Sequence, residues 1–341
     1  MRFILPVSFL VLLLALLLPL FLVDHPAPMR EAAKEWDEPL VLDEPRPKLL
    51  PAELLDEGLI LQVLIGDEVQ EMSMAVFLQG VVAAEMPARF HPEALRAQAV
   101  AARTYTLHRM LVGPAARHSE AYVCGSYACC KAFHDTERLR ERWGVGFYYY
   151  NAIIAEAIRS THGIILFYEE SPILTAFHAE SYGNTEASGV IWGSVPYLQS
   201  VPSFEGAEVP RFTVTVEMTY AEFREIARRE IPGVVLDMGN IPSWIGDLQY
   251  TDSGRLASLN IGGVRVTGAE FRRAFGLRST MVRFDFRGED FSITTGGHGH
   301  GVGMSQFGAN AMAEMGKGFA EILHWYYTDV VLGSMSTLFA D

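Results

Sequence analysis

Lysine is nearly missing from this 341-residue chain: Lys34, Lys48, Lys131 and Lys317 are its only four, and Arg supplies the other basic residues without forming a basic run. With 41 acids against 27 bases the formal charge is −14. Gripping a phosphate backbone takes clustered Lys and Arg, so nucleic acid is excluded as a partner. Cysteine is scarce too, and the odd total of three rules out a framework built only of disulfides. There is no Walker lysine motif, dinucleotide-binding glycine pattern, G-x-S-x-G elbow or HExxH pair, and no fixed-period repeat. Low charge is not low order: half the residues are apolar and 20 are Phe, which excludes a disordered chain. The length allows two domains at most, or one elaborated domain.

The one long apolar run lies at the front. Ile4 to Val23 carries no charge over 20 residues, about the length that crosses ~30 Å of hydrocarbon as a helix. A cleaved signal peptide would have a shorter core and small residues at its exit, whereas this run leaves through Val23-Asp24-His25-Pro26. The expectation is an uncleaved anchor over 1–23, with Arg2 on the cytoplasmic side and the rest of the chain extracytoplasmic. Residues 24–57 hold six of the 17 prolines and ten acids against four bases, which reads as an extended acidic stalk.

From residue 58 the pattern predicts an α+β domain of helices and short antiparallel strands. Leu59–Ile65, a turn at Gly66-Asp67 and alternating Met72, Met74 and Val76 read as a hairpin. A short helix through Phe77, Val81 and Val82 ends before Pro87, and Pro92 opens an Ala-rich helix to about Leu111. Helices are also expected at 151–161, 220–230, 268–275, 309–315 and 319–327. Strands are expected at 164–167, 173–177, 212–216, 258–261 and 264–267, the last two joined by Gly262-Gly263.

Four features can carry chemistry. Glu85 ends an otherwise apolar helix, where the helix dipole and apolar neighbours should raise its pKa towards that of a general acid. Equally, it can form a structural ion pair with Arg103 on the next helix. The segment 296–308 packs six glycines with His298, His300, Ser305 and Gln306 into 13 residues, which suits close backbone approach to a ligand. His118, Cys124, Cys129 and Cys130 fall within 13 residues and offer a Cys3His zinc set, with a disulfide plus one spare thiol as the alternative. Should Cys129 not ligate, His134 is the next candidate. Finally, His178 to Thr185 is a polar strand exit, either an ordinary turn or part of a groove wall; Ser181 and His178 there do not by themselves make a hydrolase triad.

Taken together, Val82-Ala83-Ala84-Glu85-Met86-Pro87, Phe90–Leu95, Ala97–Tyr105, His298–Ala309 and Glu321–Tyr327 resemble the stage II sporulation protein D family (SpoIID/LytB domain), in the family's order over about residues 59–335. The resemblance implies a lytic transglycosylase acting on peptidoglycan glycan strands stripped of stem peptides, during engulfment of the forespore. It puts the catalytic acid at Glu85, and Arg103, Ser181, Thr185, His300, Ser305 and Gln306 along a glycan groove. It also implies structural zinc at His118, Cys124 and Cys130, with Cys129 standing where the family often has a histidine. The family's turn reads closer to S-G-G-x-T, and here Tyr182 takes a glycine position. Membrane, cell-wall amidase and other engulfment proteins follow as partners. The same domain resembles amidase enhancers, which bind the wall without cutting it.

Overall fold

The computed structural model describes residues 56–114, 118–287 and 290–339. The expected anchor and nearly all of the stalk lie outside these residues. The stalk's end does not: Asp56 is fully buried, so folded sequence starts earlier than the expected boundary at 58. Among the described residues no helix is long and apolar enough to cross a membrane.

The fold is mixed α and β, built on several small sheets. Strands β1 (Ile60–Ile65) and β2 (Glu68–Ser73) pair antiparallel around Gly66, which sits at φ +61°. Helix α1 (Met74–Glu85) follows at once, so Met74 and Val76 leave the strand that their alternation predicts. The cause is Ser73, whose hydroxyl accepts from Val76 N–H and caps the helix. The helix stops at Met86 because a residue before proline is driven out of the α region.

Helix α2 (Pro92–Val112) runs through the centre of the body. Its buried Ala94, Ala97, Ala99, Ala101 and Ala102 let other helices approach closely. Strand β3 (Val123–Cys124) pairs parallel with β1. Helix α3 (Thr136–Trp143) has no apolar stripe to announce it, since Leu139 is its one buried residue. Helix α4 (Phe147–Arg159) then leads to β4 (Ile164–Tyr168). Beyond a turn with Glu169 and Glu170 both at positive φ, β5 (Ser171–Pro172) pairs with β4 for two residues only. The expected strand at 173–177 therefore does not form. Pro172 can donate no ladder bond, and the chain moves on to β6 (Phe177–His178).

Residues 213–296 form a lobe inserted into this body, comprising β7 (Thr213–Thr219), α5 (Tyr220–Glu230), β8 (Ile245–Tyr250), β9 (Leu256–Ile261), β10 (Val264–Thr267), α6 (Gly268–Ala274), β11 (Val282–Arg287) and β12 (Asp290–Gly296). Capping boxes at Thr219/Glu222 and Thr267/Glu270 start its two helices. Gly262 and Gly263, at φ +52° and +88°, make the expected hairpin turn. The lobe has its own core, in which Phe223 stacks on Phe275 at 4.7 Å beside Trp244, Phe271 and Ile293. The chain then returns to the body as β13 (Met304–Ser305), paired parallel with β6, followed by α7 (Gln306–Glu314), α8 (Phe319–Tyr326) and β14 (Val331–Ser334) against β4.

Candidate active site

Glu85 is half-buried at the C-terminal end of α1. Its Oε1 accepts from the backbone N–H of Ala132 at 3.0 Å and its Oε2 from Gln306 Nε2 at 3.2 Å. The donors come from segments 47 and 221 residues away, so this carboxylate is where the cysteine segment and the glycine-rich segment meet.

Lys131 adds a charge that sequence reasoning missed. It is buried, with Nζ 3.5 Å from the centre of the Phe177 ring and 4.5 Å from that of Tyr105, and it donates to Thr175 O at 3.3 Å. Burial pushes its amine down to about 8, against the pull of the nearby Glu85 and Cys130. The available signal was that one of only four lysines in the chain follows Cys130 directly.

Arg103 does not reach Glu85. Its guanidinium is fully buried and forms a two-pronged pair with Asp56, Nε to Oδ1 at 2.7 Å and Nη2 to Oδ2 at 2.6 Å, and it also donates to Ile158 O and Ile164 O. Both the expected ion pair with Glu85 and the expected glycan contact give way to this anchor, which ties α2 to the start of the folded domain.

The cysteine cluster assembles as its spacing predicts. The ligand atoms of His118, Cys124, Cys129 and Cys130 all lie within 4.8 Å of one another, an arrangement that could hold a metal ion. All three cysteines are free thiols, so the disulfide alternative is not what this structure contains. His118 Nδ1 donates to Ala121 O at 2.7 Å, which turns Nε2 towards Cys130 Sγ at 3.2 Å. Fixing one ring nitrogen on a carbonyl so that the other faces the sulfurs is how a ligating histidine is usually oriented. Burial alone would raise the Cys130 thiol, but hydrogen bonds from Tyr105, the Cys124 backbone and His118 outweigh it and hold the thiol below its usual value. His134 lies outside the cluster, with its ring near Arg142.

The glycine-rich segment is built more by packing than by exposure. Gly303, at φ +69°, brings its backbone so close to β6 that a Cβ would stand 2.1 Å from Ala176 O. A Cβ on Gly308 would meet Tyr326 Oη at 2.1 Å. Ser181, Thr185 and Ser305 are fully buried, contrary to a glycan-contact role. Thr185 Oγ1 accepts from Val201 N–H. Ser305 caps α7 and donates to the Glu205 carboxylate, which also takes the Ser181 N–H and the Ser203 hydroxyl. Glu205 is thus a buried knot joining three loops, and burial raises its pKa; no motif in the sequence marks it.

His178 donates from Nδ1 to Val302 O and accepts at Nε2 from Ser181 Oγ at 2.7 Å. This Ser–His pair is buried, so the serine has no surface on which to meet a substrate. His300 accepts from Val302 N–H at Nδ1 and lies 5.0 Å, ring to ring, from the half-exposed Trp192. Burial and the neighbouring Lys131, Arg272 and Arg255 push its pKa down to about 3. Of the residues expected to line a groove, Gln306 touches Glu85 and His300 keeps some exposed surface, while Arg103, Ser181, Thr185 and Ser305 are structural ties.

A half-buried carboxylate held by two donors, near a buried lysine and a Cys3His cluster, makes a single-carboxylate site on an α+β scaffold. The model for the family described as stage II sporulation protein, SpoIID, matches residues 66–168, which cover Glu85, Arg103 and the whole cysteine cluster. Stage II sporulation protein D of Bacillus subtilis (strain 168) is 35% identical over 261 residues, 76% of this chain and 74% of its own length. That of Bacillus amyloliquefaciens is 34% identical over 264 residues, 77% and 74%. An amidase enhancer of Bacillus subtilis (strain 168) is 26% identical over 317 residues, 75% of this chain but 40% of its own length. The chain belongs to the stage II sporulation protein D family.

Proposed function

We propose that this protein is a lytic transglycosylase that cleaves the MurNAc–GlcNAc bonds of denuded peptidoglycan glycan strands, with Glu85 as its acid and base. The observation that carries the reading is the pair of donors on Glu85, one to each oxygen. The two donors orient the carboxyl group and stabilise its ionised form, the form that takes the proton in the second half of the reaction. In the first half the protonated Glu85 gives its proton to the glycosidic oxygen as the C1–O bond breaks. The muramic C6 hydroxyl then closes on C1, and its proton returns to Glu85. The product is a 1,6-anhydro end; no water is consumed, and no second carboxylate is required, unlike in glycoside hydrolysis.

The metal ion that the cluster could hold is, in this reading, a structural zinc. Three thiolates and one imidazole fill four positions and leave none open for substrate. Bound there, zinc would fix the segment whose Ala132 N–H and Lys131 stand at Glu85; it takes no part in the proton transfers. The sporulation role, the membrane anchor at 1–23 and the extracytoplasmic placement complete the reading. A second reading, a wall-binding enhancer of an amidase, has the likeness to the amidase enhancer in its favour. Incubating the purified chain with denuded glycan strands and weighing the products decides between them. Anhydro-muramic ends support the transglycosylase, reducing ends indicate a hydrolase, and binding without cleavage favours the enhancer.

A further inference from the structure

Trp192 stands out among the exposed side chains because its surroundings are built to hold it. Half of its surface is open, while its ring packs on His300 at 5.0 Å and 60°. Its carrier loop is pinned by Ser188, which is itself buried. Ser188 O accepts from both Ile191 N–H and Trp192 N–H at 2.9 Å, Ser188 Oγ accepts from Val195 N–H at 2.9 Å, and Ser188 N–H donates to Leu198 O at 3.0 Å. Gly193, at φ +118°, turns the chain away immediately afterwards with open space around it. An indole on so fixed a loop loses little conformational freedom when something packs on it.

A solitary exposed aromatic is ordinary on a protein surface and needs no ligand. The position argues otherwise. The His300 ring packs on His178 at 5.6 Å, Lys131 Nζ stands 3.5 Å from the ring of the preceding Phe177, and Ala132, next in the chain, donates to Glu85, so one run of contacts links the indole to the carboxylate. The C–H face of a pyranose ring is apolar and flat enough to lie on an indole, while its hydroxyl and acetamido rim stays in water. A tryptophan at the boundary between an apolar wall and solvent meets both demands.

We propose that Trp192 is a saccharide subsite, a stacking platform for an N-acetylhexosamine ring next to the bond that Glu85 acts on. This rests on the glycan-cleaving reading above and extends it to a residue in the 188–198 loop. The platform binds sugar without taking part in proton transfer, so it can be tested by binding alone in the full-length Glu85→Gln protein. The probe is a β-1,4-linked N-acetylglucosamine tetrasaccharide, followed by tryptophan emission and by calorimetry.

The expected result is an emission change on titration that disappears in Trp192→Phe, together with affinity within about threefold of the parent, because phenylalanine keeps an aromatic face. Trp192→Ala should weaken binding about tenfold. An emission change that survives in Trp192→Phe overturns the proposal even if the alanine variant fails to fold. So does unchanged affinity in folded Trp192→Ala. Absence of any binding to the parent protein overturns it as well. Cleavage of denuded strands by the Glu85-intact protein is read separately, so losing the platform leaves the glycan-cleaving reading standing, and losing cleavage is seen as such.

Discussion

The segments 118–134 and 296–308 each give one hydrogen bond to the same carboxylate, and they are held in place by different means. The first has little secondary structure of its own beyond β3; what gathers it is four ligand atoms within 4.8 Å, with Phe133 stacked on Phe77 at 5.8 Å and His134 N–H on Gly80 O. The second is fixed by close backbone packing on β6 and by buried hydroxyls around Glu205. One segment is therefore gathered around side chains that could hold an ion, and the other packs through the absence of side chains. Their shared target is what makes the comparison testable.

The largest effect should come from that target itself. Glu85→Gln is isosteric but cannot shuttle a proton, and acid–base groups typically contribute about 10²–10⁴-fold. The expected outcome is a loss of that size in anhydro-muramic product with an unchanged melting temperature. Retained activity in folded protein would remove the carboxylate from the chemistry and leave both walls supporting nothing catalytic.

Removing the metal separates the walls. Purified protein should contain about one equivalent of zinc, and chelation or Cys124→Ser should lower stability and activity together, since ligand ordering is coupled to folding. The inserted lobe has a core that does not include the cluster, so the expected loss is roughly 4 kcal/mol, short of the ~10–16 kcal/mol typical of peptides that fold only around zinc. Metal analysis under reducing conditions checks the first statement and thermal melts the second. Protein that is zinc-free yet fully stable would mean that the thiols pack as ordinary buried groups.

The complementary lesion is Gly303→Ala. A methyl there meets a backbone oxygen at 2.1 Å and sits at φ +69°, so β13 must move away from β6. The expected destabilisation is about 3 kcal/mol, combining ~1–2 kcal/mol of left-handed strain with lost packing. Gly66→Ala has a similar φ with open space around it and should cost only about 1 kcal/mol. Urea midpoints of the two variants measure the difference, and zinc content should stay at its parent level in both.

What was legible in the sequence follows the same division. Local chemistry announced itself: the helix expected at 220–230 formed as α5, the Gly262-Gly263 hairpin formed, and four ligands within 13 residues came together. Long-range choices did not. Nothing near Arg103 says that its carboxylate is Asp56, 47 residues earlier in an apparent stalk, rather than Glu85, and nothing near Glu205 says that three hydroxyl- and amide-bearing segments converge on it. Helix α3 was invisible because burying Leu139 alone leaves no periodic apolar signal. The burial of Ser181, Thr185 and Ser305 was hidden for a related reason: a serine or threonine next to glycines reads the same whether its hydroxyl faces a ligand or ties one loop to another.

A predicted effect smaller than those of the metal and of Gly303→Ala concerns protons, and it again tells the two walls apart. His300, packed against His178 and Trp192 and facing Lys131, Arg272 and Arg255, has its pKa pushed down to about 3. Burial and the neighbouring Arg278 push His298 down to about 4, and burial with His300 holds His178 well below its usual value. A histidine whose folded pKa is depressed takes up its proton more readily in the unfolded chain. Stability is therefore complete above about pH 6.5 and falls as pH drops towards the folded value. At pH 5 the His300 contribution alone is a loss of about 2 kcal/mol relative to pH 8. Glu205 works in the opposite sense: burial raises its pKa, so it costs stability as pH rises from the usual carboxylate value through the raised one. Urea midpoints at pH 8 and pH 5 should thus show a glycine-rich wall that weakens in acid, and His300→Asn should flatten that dependence by about 2 kcal/mol. Metal content assayed in the same samples keeps loss of the ion from being mistaken for histidine protonation. If His300→Asn leaves the pH dependence unchanged while metal content falls, the acid sensitivity belongs to the cysteine wall instead.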